Sequence, residues 1–173
     1  MENITLKHIL SRRSIRKYLD KKIPEDTMRD LLRAAMNAPS ASNQQIWHFI
    51  VIDDRRLLSE LSGIHGGYLT LLTAPSAVLV CGEPNTATLE CYWQHDCAAA
   101  TENILIAAES LGIGAVWQGV NPSVKNDTDE IIRILNLPKG IKPFSIIALG
   151  YPDETFEARD NYKEDKIHYN NVW

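Results

Sequence analysis

Three stretches of this 173-residue chain carry side chains dense enough to do chemistry. The first is Arg12-Arg13-Ser14-Ile15-Arg16, with three guanidiniums and one hydroxyl within five residues. Guanidinium groups bind phosphate through parallel, charge-assisted hydrogen bonds. Each such bond to a charged group is worth roughly 1.5–3 kcal/mol net, so the run suits a phosphomonoester. A solvated basic surface would read the same way. The second is Pro39-Ser40-Ala41-Ser42-Asn43-Gln44-Gln45. Carboxamides both donate and accept, which suits a flavin or pyrimidine ring edge; Ser and Asn are also common in plain loops. The third is Gly112-Ile113-Gly114-Ala115-Val116-Trp117-Gln118-Gly119. Gly112 reads as a helix cap, whereas Gly114 and Gly119 would let backbone amides come close to a planar ring.

Other chemistries are excluded or demoted. No GxGxxG follows a strand and no GxxxxGK[ST] occurs, which argues against a Rossmann dinucleotide site and a P-loop. The run Cys91-Tyr92-Trp93-Gln94-His95-Asp96-Cys97 could suggest a Cys–His nucleophile or zinc. On a helix, however, adjacent His95 and Asp96 point about 100° apart, and Cys91 and Cys97 share no i, i+4 edge. The run therefore reads as structural. The three cysteines are odd in number and form no CxxC, so no disulfide framework or metal site is expected. A formal charge of -4 gives no reason to expect nucleic acid or an anionic membrane as partner. The first ten residues lack a signal-peptide core, no apolar stretch approaches the ~20 residues of a span, and a cytoplasmic location is expected.

The elements that must position these groups follow from periodicity. Thr5–Leu10 predicts a short helix with Leu6, Ile9 and Leu10 on one face, running into the basic turn. Pro24 opens a second helix with Met28, Leu31, Leu32 and Ala35 as its apolar stripe, and Ala38-Pro39 ends it. Trp47–Ile52 predicts a strand, Asp54–Leu61 a helix stopped by Gly63, and Gly66-Gly67 a loop. Ala77–Cys81 is apolar throughout and so reads as a central strand, with Cys81 buried. The longest helix is predicted from about Thr88 to Leu111, capped by Gly112. Ala115–Val120 and Phe144–Leu149 read as strands and Val124–Leu135 as a helix. Residues 1–173 read as one domain. From Tyr151 the chain turns polar and aperiodic, yet it keeps Phe156, Tyr162, Tyr169 and Trp173, which a free tail would tend to lack.

In this order the segments resemble the nitroreductase family, over nearly the whole chain. SRRSIRKY (Ser11–Tyr18) is similar to its N-terminal phosphate-binding turn. APSASNQQIW (Ala38–Trp47) is similar to its Pro-Ser-x-x-Asn-x-Gln-Pro-Trp loop, with Ile46 where proline is usual. DCAAATENILIAAESLGIGAVW (Asp96–Trp117) resembles the long core helix and the strand after it, and LGYP (Leu149–Pro152) and KIHY (Lys166–Tyr169) the closing motifs.

The resemblance implies an α+β fold: a central mixed, mainly antiparallel sheet flanked by helices, with the C-terminal arm 151–173 exchanged in a homodimer. It implies that Arg12, Arg13, Ser14 and Arg16 hold the phosphate and ribityl chain of FMN. Pro39, Ser40, Asn43 and Gln45 would line the flavin, with Ser40 reaching it from the partner subunit, and Trp117, Gln118 and Gly119 would approach its ring. A late Lys/Arg-x-Arg pair of the family reads Arg159-Asp160-Asn161 here, so Arg159 can serve, Asn161 lacks the charge, and Lys163 is placed to compensate. The implied activity is ping-pong electron transfer from NADH or NADPH to a nitroaromatic, quinone-like or other electron-poor acceptor, with no catalytic side chain because the flavin carries the chemistry. Loops such as Gly63–Leu72 would set selectivity. Alternatives are a dehalogenase or azoline dehydrogenase built on the same fold, or a non-catalytic FMN-binding protein.

Overall fold

The computed structural model describes residues 3–121, 125–157 and 159–170. Val124 and Trp173, which the sequence assigned to a helix start and to the arm, lie outside them. Four strands form one sheet in the order β1-β2-β4-β3: β1 Trp47–Ile52, β2 Ser76–Gly82, β3 Gly114–Gly119 and β4 Lys142–Gly150. All three pairings are antiparallel; among the described residues the one parallel contact is the bridge Ser14–Ala115.

The central strands are buried throughout β2 and over Ser145–Gly150 of β4 because both of their faces are covered. Ala77, Leu79, Cys81, Ile146 and Ala148 face one core, and Val78, Val80, Ile147 and Leu149 face the other. Helices α3 (Arg55–Ser62) and α5 (Lys125–Leu135) cover the first core, together with the 3₁₀ segment Gly66–Leu72. Helices α2 (Glu25–Met36) and α4 (Trp93–Ser110) cover the second. Asp54 caps α3 by accepting the Arg56 and Leu57 amides. Gly112 takes φ 68° after α4, as a helix-ending glycine does.

Two boundaries differ from the pattern-based expectation. The long helix begins at Trp93 rather than near Thr88, because Leu89 has non-helical backbone (φ -124°, ψ 77°) and Glu90–Tyr92 wind as a separate 3₁₀ turn; Gln44 Oε1 accepts the Leu89 amide at 3.1 Å. Gly66-Gly67 opens a seven-residue 3₁₀ segment rather than a loop, since His65 Nδ1 accepts the Gly67 amide and caps it. Helix α1 (Ile4–Ser11) forms as expected but buries none of its residues. Leu6, Ile9 and Leu10 are each about half exposed, at 50%, 47% and 53%.

Candidate functional site

The basic turn is held from two sides. Helix α4 meets it with Glu109, which accepts the Ser11 hydroxyl at 2.7 Å, and with Glu102, 3.8 Å from Arg12 Nε. The start of the C-terminal arm meets it in an antiparallel run. There the Leu19 amide donates to the Tyr151 carbonyl, the Asp153 amide donates to the Lys17 carbonyl, and the Glu154 carboxylate accepts the Arg16 and Lys17 amides at 2.5 and 3.0 Å. Arg13 turns back onto the end of α1, where its Nη1 donates to the Leu10, Ser11 and Arg12 carbonyls. That is a C-terminal cap satisfied by a cation, which the helix dipole favours. Arg13 Nη2 also reaches the Arg159 carbonyl at 3.3 Å. Arg12, Arg13, Ser14, Arg16, Arg159 and Asn161 together line a cavity of about 380 Å³. Asn161 is thus brought to the cluster, whereas Lys163 is not among its lining residues.

Arg16 also borders a second cavity, of about 320 Å³, at the end of β3, which Trp117, Gln118 and Gly119 line together with His65, Tyr68 and Thr70. Tyr68 is 2% exposed, and its hydroxyl donates to the Gly119 carbonyl at 3.1 Å. Burial first, and then the charge of Asp127, pushes this phenol up to about 12. Gln118, 6% exposed, donates through Nε2 to the Gly67 carbonyl and the Thr70 hydroxyl. These bonds strap the 3₁₀ segment over the strand end. Among the described residues its other amide atom, Oε1, is buried without a partner, an acceptor left open where buried polar atoms are normally satisfied. The Trp117 ring leans on Phe144 at 5.7 Å.

The amide-rich loop stands apart. Pro39, Ser40 and Ala41 line a third cavity of about 350 Å³ with Tyr92, His95 and Asp96, and that cavity shares no residue with the other two. Asn43 and Gln45 are exposed, with Gln45 Nε2 donating to Asn43 Oδ1 at 2.7 Å. Ser42, Asn43 and Gln45 have φ of 48°, 54° and 46°. Left-handed backbone at residues with a Cβ costs roughly 1–2 kcal/mol each, and such strain collects at functional sites.

A profile of the nitroreductase family matches residues 9–83 and 71–151. The chain belongs to that family. A protein of Archaeoglobus fulgidus, provisionally named NADH dehydrogenase/NAD(P)H nitroreductase, is 44% identical over 168 residues, covering 94% of this chain and 95% of its own. The crystal structure of a Bacteroides thetaiotaomicron protein with the same provisional name aligns at TM-score 0.93 and 36% identity, covering 100% of both chains. A nitroreductase of Desulfovibrio desulfuricans, also provisionally named and solved in complex with FMN, aligns at TM-score 0.84 and 26% identity over 98% of each.

Within this nitroreductase fold, Arg12, Arg13, Ser14, Arg16 and Arg159 converge on one cavity, and Trp117, Gln118 and Gly119 on its neighbour through Arg16. Pro39 and Ser40 are not brought to either within one chain. Sequence reading brought the Gly63–Leu72 loop to the site without singling out His65 or Thr70, and it missed Glu154, whose part depends on contacts distant in sequence. It also passed over Gln44 and Asp96: the first was hidden between two better-known neighbours, and the second sat in a run read for metal or thiol chemistry. Among the described residues no group of three or more His, Cys, Asp or Glu could hold a metal ion, and no helix is long and apolar enough to cross a membrane.

Proposed function

We propose that this chain binds FMN across the two cavities that meet at Arg16 and passes electrons from NADH or NADPH to a small electron-poor acceptor, a nitroaromatic or quinone-like compound among them. The observation that carries this reading is the adjacency of unlike halves. A cavity rich in guanidinium adjoins one that offers the unpartnered Gln118 acceptor and the backbone of Trp117–Gly119. A molecule with a phosphate at one end and a flat, hydrogen-bonding ring at the other fits that donor set. Its identity as FMN draws on the family and on the FMN-bound Desulfovibrio relative.

When bound, FMN supplies a ring that takes two electrons from a nicotinamide and yields them to the acceptor. The protein's own residues bind and orient. Arg12, Arg16 and Arg159, with the Ser14 hydroxyl, hold the phosphate and the chain next to it. Arg13 shapes the turn and adds positive charge. The Gln118 Oε1 accepts a ring N–H, and the Gln118–Thr70–Gly67 strap keeps that carboxamide from rotating away. Pro39, Ser40, Asn43 and Gln45 complete the ring's surroundings from the partner subunit, which accounts for Pro39 and Ser40 lining a cavity apart from the other two in one chain. The exposed Ile4, Leu6, Ile9 and Leu10 of α1 and Phe156, Tyr162 and Tyr169 of the arm form the contact that makes the homodimer, since aromatic and aliphatic surface of this kind is what interfaces cover.

Titration of apoprotein with FMN, FAD and riboflavin tests the reading. FMN is expected to bind at least tenfold more tightly than riboflavin, and anaerobic NADH or NADPH is expected to bleach the bound flavin. Equal affinity for riboflavin would remove the basic turn from the site.

A further inference from the structure

Asp96 has no part in the reading so far. It is 3% exposed, in the first turn of α4, and both of its oxygens are spent on one loop. Oδ1 accepts the Ala41 amide at 2.9 Å, and Oδ2 accepts Gln44 Nε2 at 2.6 Å. Gln44 continues the tie. Its Oε1 accepts the Leu89 amide at 3.1 Å, and its Nε2 also lies 3.4 Å from the Leu89 carbonyl. One carboxylate and one carboxamide thus link the 40–45 loop to α4 and to the turn that precedes it.

The loop needs such a link. Three of its residues hold left-handed backbone without being glycine, and strained backbone persists only where surrounding contacts over-determine it. The bonds from Gln45 N to Ser40 Oγ and from Gln45 Nε2 to Asn43 Oδ1 lie inside the loop and move with it. Among the described residues, the hydrogen bonds from residues 40–45 to the rest of the molecule run through Asp96 or Gln44.

We infer that Asp96 is a positioning residue of the cofactor site: through Gln44 it holds the 40–45 loop in the left-handed conformation that presents Ser40, Asn43 and Gln45. The inference rests on the reading of that loop as cofactor-facing. It also explains why the network is a carboxylate facing a carboxamide. Asp96 can only accept and the Gln44 amide can do both, so each has one sense in which to pair, and the pair is directional.

Directionality supplies the test. D96N sets an amide against an amide, and Q44E sets a carboxylate against a carboxylate. The double variant D96N/Q44E restores one donor facing one acceptor and still leaves an oxygen for the Ala41 and Leu89 amides. The readouts are amide hydrogen exchange of the apoprotein over 40–45 and 88–92, and the FMN dissociation constant, with N43A as a reference for the loop's contact with the cofactor. Expected results are exchange at least tenfold faster in both single variants, FMN binding about tenfold weaker, and recovery of both to within about threefold in the double variant. Unchanged exchange in D96N, or a double variant as loose as the singles, overturns the inference. If the singles loosen the loop and N43A weakens FMN binding while D96N does not, the inference falls and the cofactor reading of the loop stands. If neither D96N nor N43A changes FMN binding, that reading falls and takes the inference with it.

Discussion

At the scale of single residues, the arginines of the basic turn divide by what their guanidiniums already hold. Arg13 caps α1 with three backbone carbonyls, whereas Arg16 is exposed, borders both cavities, and among the described residues its guanidinium donates one long bond, to the Ser14 carbonyl at 3.3 Å. R16A is therefore expected to weaken FMN binding by roughly 1.5–3 kcal/mol, about ten- to a hundredfold, while the apoprotein melt stays within about a degree or two of the parent. R13A is expected to lower the apoprotein melt as well, because it uncaps a helix. Fluorescence titration and thermal melts of both apo variants separate the two roles. If R16A melts early and binds FMN normally, the assignment is reversed. The cysteines divide in the same manner. Cys81 and Cys97 are fully buried, and burial pushes both thiols up to about 12, so neither supplies thiolate near neutrality. Cys91 is exposed. Iodoacetamide at pH 8 followed by peptide mass spectrometry should find one adduct, on Cys91, in the folded protein.

At the scale of elements, β3 is the edge strand on which the candidate site is assembled, and its start is closely fitted. A Cβ added at Gly114 would sit 2.7 Å from Ile15 Cγ2 and 2.9 Å from Ile15 Cβ. The Ser14–Ala115 bridge, with the Ile15 amide donating to the Ala115 carbonyl at 2.9 Å, brings that residue so near. G114A should therefore cost roughly 1–3 kcal/mol by overpacking, read as a lower midpoint in urea, and should weaken FMN binding by shifting the basic turn away from β3. A midpoint unchanged from the parent would show that the turn gives way freely. The 66–72 strap predicts an alkaline limit. Tyr68 ionises near 10 in the unfolded chain and near 12 when folded. Below about pH 10 both states keep the proton and the contribution is constant. Between the two values the unfolded chain alone ionises, so stability falls as pH rises, by roughly 2–3 kcal/mol across the interval. Cys81 and Cys97 act in the same direction. Y68F should be less stable at neutral pH by about 1 kcal/mol, for the lost bond to Gly119, and its melting temperature should fall less steeply above pH 10. Parallel melting curves for the two proteins would remove Tyr68 from the alkaline transition.

At the scale of the whole molecule, the proposed dimer would join the cavity at Pro39, Ser40 and Ala41 of one chain to the two cavities that share Arg16 in the other. Deletion of the residues after Tyr151 removes Arg159 along with the arm's exposed rings, and is expected to yield a monomer that loses FMN, by light scattering and flavin absorbance. The arm's first residues pair with 17–19 of their own chain, so a truncated protein that stays dimeric with full FMN would mean that the arm serves its own subunit. Because donor and acceptor would use one place in turn, initial rates at several acceptor concentrations should give parallel double-reciprocal lines. Intersecting lines would mean that both bind together.

The sequence by itself determined what local periodicity and residue type control. Alternation and run length placed all four strands, because a strand's burial pattern is written in consecutive residues. Asp54, Gly63 and Gly112 marked helix ends, because caps are local. The order of SRRSIRKY, APSASNQQIW and LGIGAVW identified the family. Tertiary structure alone decided where side chains with several possible partners were spent. Arg13 and Arg16 are the same residue type three positions apart, and only the path of the chain after α1 makes one a helix cap and leaves the other facing the cavity. Asp96 reads from its neighbours as part of a Cys–His run, yet its partners, Ala41 and Gln44, are more than fifty residues away. The helix predicted from Thr88 starts five residues late, at Trp93, because Leu89 takes non-helical backbone where Gln44, 45 residues earlier, meets it. Hydrogen bonds of this kind are short-ranged in space and unlimited in sequence separation, so no local pattern encodes them until the sheet has brought the segments together.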